Sequence, residues 1–194
     1  MYTRDDAYAV LTEFTRSESL IKHALAVEAA MRAYARKFGE DEEKWAIVGL
    51  LHDFDYEIHP DMERHPIKGG EILRQRGWPE EIIRACMSHA PYTGIKRESN
   101  MEKAIFACDE LCGFLVACAL VRPSRSFDDM EVKSVRKKLK DKAFARTVNR
   151  EEVYQAAAEF NVDLDEHIEF LIQSLRPIQE QLGLRKISDM QQTA

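Results

Sequence analysis

The sequence predicts an all-α protein, and three observations carry that expectation. Apolar residues recur at three- and four-residue spacing along most of the chain. No stretch of useful length shows the apolar–polar alternation of a half-buried strand. The eight glycines and six prolines sit mostly where a periodic segment ends, as punctuation between helices.

The elements follow in order. A first helix is expected over about 5–16. A second starts near Ser17 or Ser19 and ends at Gly39; its apolar stripe uses Leu20, Val27, Met31, Tyr34 and Phe38, with His23 on the same stripe. Asp41 suits the N-cap of a third, which carries Trp45, Val48 and His52 at helical spacing. The polar stretch DYEIHPDMERH reads as a loop. Pro66 fits the first turn of a fourth helix that stops at Gly77, and Pro79 opens a fifth that ends before Pro91. Asn100 is expected to cap a long sixth helix to about Val121. Asp128 with Glu131, and Asn149 with Glu152, read as capping boxes for a seventh and an eighth. A last helix begins near Asp165 and bends or breaks at Pro177, with a frayed tail after Arg185.

A chain of 194 residues can form one domain with its own core. We expect a single domain over 1–194, with a core bundle at about 17–121 and a helical appendage at about 122–185; the loop 121–128 is the candidate boundary. The formal charge of −6 argues against a protein built to coat nucleic acid. Cys86, Cys108, Cys112 and Cys118 form no Cys-x-x-Cys pair, which fits reduced thiols rather than a disulfide framework. The opening MYTRDDAYAV lacks the layout of a signal peptide. The most apolar window, 105–121, contains Asp109 and Glu110, so it reads as a buried helix and not a membrane span. A cytoplasmic protein with no membrane partner is the expectation.

The chemistry starts at His52-Asp53, which closes the apolar run WAIVGLL. An imidazole and a carboxylate side by side offer a divalent cation one nitrogen and one oxygen donor. His23 and Asp109 lie in other helix-like segments, and facing helices are a common way to build such a centre. A charged Asp109 inside IFACDELCGFLVACAL is costly unless paired or ligating. Each residue also has a plainer reading: a buried histidine usually makes one hydrogen bond, and Asp109 alone could pair with a basic side chain. Joint occurrence in this order favours ligation. His59, in the polar loop, reads as a solvated histidine, with a substrate-facing acid or base as the alternative. His167 reads as a helix-surface or interhelical group, and Cys108 and Cys112 as core residues.

The order His23, His52-Asp53, Asp109 on helices resembles the HD superfamily of metal-dependent phosphohydrolases, over about 20–120. The resemblance implies a compact helical bundle with a C-terminal helical extension. Some members of that superfamily hold a second metal with two further histidines; His65 in HPIKGGEIL and His89 in CMSHAPY match by position, and Gly69-Gly70 looks like that subgroup's glycine-containing turn. By the resemblance, Asp53 bridges two metals, His65 and His89 complete one, and His23, His52 and Asp109 the other. Ala90 stands where better-known subgroups carry a second histidine, so one metal or two stays open. Iron, manganese, zinc, cobalt and magnesium all suit such donors.

The implied reaction is hydrolysis of a phosphate ester of a nucleotide or related small metabolite, with Asp53 and His52 as the catalytic pair. A small phosphorylated molecule, not nucleic acid, is the expected partner. Between 122 and 150 ten Lys or Arg face four Asp or Glu. Arg122 and Arg125 there, and Lys68 near His65, are candidates to grip substrate phosphate. Two other functions compete: a di-iron oxygenase of the same superfamily, and a non-catalytic module that binds a nucleotide.

Overall fold

The computed structural model describes residues 2–185. Nine α-helices and no strand occur among them, so the fold is all-α as expected. The chain forms two compact units that meet between Asp109 and Glu110.

The first unit begins with α1 (Arg4–Phe14), closed by a capping box between Thr3 and Asp6. It stops two residues short of the expected end. The Thr15 hydroxyl donates to the buried carbonyl of Phe54 at 3.0 Å, and Glu57 accepts from the Arg16 and Ser17 amides at 2.8 and 3.0 Å. These contacts draw the backbone into an extended conformation at Thr15 and tether the loop after His52. Helix α2 (Glu18–Phe38) ends on Gly39 at φ 69°, where the left-handed backbone favours glycine. Val27, Met31 and Tyr34 are buried as expected, but Phe38 is 40% exposed: the stripe turns outward in the last turn.

Helix α3 (Glu42–Leu51) is capped by the Asp41 carboxylate, which accepts from the Glu43 and Lys44 amides. It packs on α1 and α2. A Cβ on Gly49 would lie 2.7 Å from the Glu28 backbone, so glycine is what lets α2 and α3 approach this closely. Helices α4 (Ile67–Gln75) and α5 (Glu80–Ser88) pack on each other, and α5 on α3. A 3-10 turn (Pro91–Thr93) follows. Helix α6 (Asn100–Leu120) carries Asp109. Its cap is Ser99, not Asn100: the Glu102 amide donates to Ser99 Oγ at 3.2 Å, and the Ser99 amide to the Glu102 carboxylate at 3.0 Å.

In the second unit, α7 (Val132–Lys140) starts later than the Asp128–Glu131 box predicts. The Asp128 carboxylate accepts from Gln179 Nε2 at 3.0 Å and faces Arg176 Nε at 3.6 Å, so tertiary partners take it before a helix terminus can. Asn149 caps α8 (Arg150–Glu159) as expected. Asp163 caps α9 (Leu164–Leu175), which gives way to a 3-10 turn (Arg176–Ile178) around Pro177. His167 is buried on α9 with its ring 6.4 Å from that of Phe160, which corrects the helix-surface reading. The expected fraying after Arg185 lies outside the described residues. Among those described, no helix is long and apolar enough to cross a membrane.

Candidate metal centre

Four helices and the loop between α3 and α4 bring the predicted side chains together. His23 comes from the second turn of α2, and His52 ends α3 as its C-cap. Asp53 begins the loop, His89 ends α5, and Asp109 comes from the middle of α6. His65 precedes α4 by two residues.

Asp53 joins two groups of donors. Its Oδ2 lies 3.4 Å from His52 Nε2 and 3.7 Å from His23 Nε2. Its Oδ1 lies 3.1 Å from His65 Nε2 and 3.2 Å from His89 Nε2. On the first side, Asp109 Oδ1 lies 3.0 Å from His23 Nε2 and 3.5 Å from His52 Nε2. The two histidine pairs are also close, His23 to His52 at 3.2 Å and His65 to His89 at 3.3 Å between Nε2 atoms. Each group of donors falls within 4.8 Å. A cation about 2.1 Å from each donor spaces neighbouring donors about 3.0–3.4 Å apart, close to the separations found here. The donor set therefore fits one ion in each group.

The outer ring nitrogens are held as a metal site needs. His52 Nδ1 donates to the Gly49 carbonyl at 2.9 Å, and His89 Nδ1 to the Cys86 carbonyl at 2.6 Å. His65 Nδ1 donates to Asp55 Oδ1 at 2.8 Å. Each bond keeps a proton on Nδ1, so that Nε2 offers its lone pair to the centre once its own proton has left.

Asp55 is the functional residue that sequence reasoning missed. It is fully buried, and its other oxygen accepts from the Gly69 amide at 2.9 Å. A Cβ on Gly69 would stand 2.7 Å from Asp55 Cγ, so the glycine at the start of α4 exists to admit this carboxylate. A second aspartate two residues beyond Asp53, with a glycine pair downstream, was the available signal.

Burial and charge oppose one another here. Burial disfavours the His52 imidazolium, but Asp53 and Asp109 outweigh it and raise the pKa well above the usual value. Burial likewise opposes the His65 imidazolium, while the carboxylates of Asp53 and Asp55 push it up to about 9. For Asp53 and Asp109 burial favours the neutral acid, yet the facing histidines hold both below the usual carboxylate range. Acceptors and donors are thus matched in charge around a buried centre. Side chains of His52, His65 and His89 are 0, 4 and 6% exposed, against 19% for His23, 20% for Asp53 and 18% for Asp109. Solvent reaches the centre past the latter three.

The other candidates lie differently. Lys68 is exposed and pairs with Glu71 at 2.7 Å. Arg122, in the second unit, pairs with Asp129 at 2.9 Å and donates to the Asp129 carbonyl at 2.6 Å; it lines a 420 Å³ hollow with Lys137 and Lys138. Arg125 is exposed, with φ 50°. His59, expected to be solvated, is half-buried, and its Nδ1 is covered without a partner. Cys108 and Cys112 are buried in α6 and belong to neither donor group.

Residues 20–112 match the family model of the HD domain. The chain is also similar to proteins named ribonuclease Y. It is 26% identical to that of Oleidesulfovibrio alaskensis over 98 residues, which is 50% of this chain and 18% of the relative. It is 29% identical to that of Thermosipho melanesiensis over 115 residues, 59% of this chain and 21% of the relative. It is 31% identical to that of Nitratidesulfovibrio vulgaris over 74 residues, 38% of this chain and 14% of the relative. The chain thus spans about a fifth or less of these relatives' length. No solved structure matches it.

Proposed function

Residues 20–112 of this chain form an HD domain, and from that premise we propose that it is a metal-dependent phosphohydrolase that cleaves a phosphate ester of a nucleotide or a related small molecule. The observation that carries the proposal is the placement of Asp53, with one oxygen turned to His23 and His52 and the other to His65 and His89. A divalent cation bound there supplies a Lewis acid for a phosphoryl oxygen and makes water nucleophilic near neutral pH.

The chain's own residues do the rest. His23, His52, Asp53 and Asp109 would hold one ion, and Asp53, His65 and His89 a second. The Nδ1 bonds of His52, His65 and His89 fix their rings before any ion arrives, so little reorganisation is left for binding. The partial exposure of Asp53 and Asp109 leaves one face for substrate and water. Within the first unit Lys68 is our candidate for gripping phosphate, and Lys68 or His59 for protonating the leaving oxygen.

A phosphodiester of RNA is the second reading, favoured by the name of the similar proteins. One experiment tests both. Purified protein is assayed for metal by elemental analysis, then screened for phosphate release over nucleotides and sugar phosphates and for cleavage of a short RNA. Stoichiometric metal with phosphate release supports the first reading, and RNA cleavage alone the second. Loss of both activities in metal-replete protein overturns the phosphohydrolase assignment.

A further inference from the structure

Nine large apolar or aromatic side chains are exposed among the described residues, six of them in the first unit. Five of those six are Tyr56, Ile58, Met62, Ile67 and Tyr92. All five lie on the two segments that surround the candidate metal ligands: the loop and helix start running from Asp53 past His65, and the 3-10 turn just after His89. Scattered exposed apolar residues need no explanation, but a concentration beside a polar centre does.

The two tyrosines are the specific part. Tyr56 is 41% exposed, yet its ring meets that of His65 edge-on, with centroids 5.2 Å apart and planes at 86°. Its loop is tethered on either side, by Thr15 at the Phe54 carbonyl and by Glu57 at the Arg16 and Ser17 amides. Tyr92 is 43% exposed on the turn that begins two residues after His89. That turn is pinned by the Thr93 hydroxyl, which donates to the Ala90 carbonyl at 2.8 Å. Burial first, then the charges of Asp53 and Asp55, the Tyr56 hydroxyl and Asp109, push the Tyr92 pKa up to about 12. Both residues therefore sit partly exposed on anchored backbone, Tyr56 against His65 and Tyr92 three residues beyond His89, on two different elements.

We propose that Tyr56 and Tyr92 form a base-binding rim for the metal centre, so that the substrate is a phosphoester carrying a planar nucleobase rather than a bare sugar phosphate. This rests on the phosphoester reading above and narrows its substrate class. A tyrosine face offers any nucleobase a stacking partner without reading its sequence. The base comes from a mononucleotide or from a strand, and the chemistry at the rim is the same for both.

The test uses the full chain loaded with Mn²⁺. Equilibrium dialysis on ice measures binding of adenosine 5'-monophosphate, ribose 5-phosphate, adenosine, inorganic phosphate and a tetra-adenylate. Variants are Tyr56→Ala, Tyr92→Ala, both together, and the double Phe substitution. We expect the adenylate ligands to bind at least about tenfold more tightly than ribose 5-phosphate. The double Ala variant should remove that advantage while leaving metal content and ribose 5-phosphate affinity unchanged, and the double Phe variant should keep it. Tyrosine-dependent binding of the tetra-adenylate alone assigns the base to a strand and still supports the rim. If neither adenylate ligand loses affinity in the double Ala variant, the proposal is wrong. Phosphate and adenosine separate the two inferences. Binding of phosphate with no tyrosine-dependent contribution from adenosine or either adenylate ligand overturns the rim alone. Tyrosine-dependent adenosine binding without any phosphate binding overturns the phosphoester reading and leaves the rim standing.

Discussion

Replacing Asp55 with alanine tests whether the second group of donors is built for a metal. Asp55 makes two bonds from a fully buried position, accepting from His65 Nδ1 at 2.8 Å and from the Gly69 amide at 2.9 Å. Alanine leaves the Gly69 N–H buried without a partner, which costs about 1–3 kcal/mol of stability. It also frees the His65 ring to rotate and to shift its proton between nitrogens. Losing such a support typically weakens a metal site about 10–100-fold, or about 1.4–2.7 kcal/mol. His52 and His89 keep their own backbone acceptors, so the weakening should fall on the group containing His65 and spare the one containing Asp109. Calorimetric titration of metal-stripped protein with Mn²⁺, checked by elemental analysis after dialysis, reads the two groups separately. Gly69→Ala should behave alike, because its Cβ would press within 2.7 Å of Asp55 Cγ. The reasoning fails if Asp55→Ala binds two ions with unchanged affinity, or if both groups weaken equally.

Asp53→Ala and His52→Ala should each strip metal and abolish turnover; wild-type metal content and rate in Asp53→Ala would show that its role is misassigned. His65→Ala should halve the metal content measured by elemental analysis and leave the ion held by His23, His52 and Asp109. Lys68→Ala should raise KM more than it lowers kcat if Lys68 grips phosphate, and equal falls in kcat and kcat/KM would point elsewhere. Metal-free protein should show a pH-dependent stability set by the centre. The His65 pKa is raised from 6.5 to about 9, so its contribution is full below about pH 6.5 and is lost as pH rises through about 9. The lowered pKa values of Asp53 and Asp109 contribute above about pH 4 and are lost as pH falls. Urea midpoints of chelator-treated protein at pH 5, 7 and 9.5 should therefore decline at the highest value. Mn²⁺ affinity should rise over the same interval as protons leave the histidines.

Much of the centre was legible because its signals are local or ordered along the chain. Asp41 and Asn149 act within a turn of their own positions, so those helix starts could be placed from the sequence. Where a side chain found a distant partner, the local rule failed. Asp128 turned to Gln179 instead of capping α7, and Thr15 to Phe54 instead of extending α1. Charged or polar residues inside apolar stripes, His23, His52 and Asp109, announced themselves by the cost of burying them.

By itself, then, the order of residues determined an all-α chain with six candidate donors and a family resemblance to match. Only the tertiary structure decided that Asp53 turns one oxygen to each group, that Asp55 and Gly69 lock His65, and that Tyr56 and Tyr92 stand exposed at its border. The physical reason is that periodicity and capping act over a few residues, whereas the aim of a carboxylate depends on rotamers fixed by packing between helices far apart in sequence.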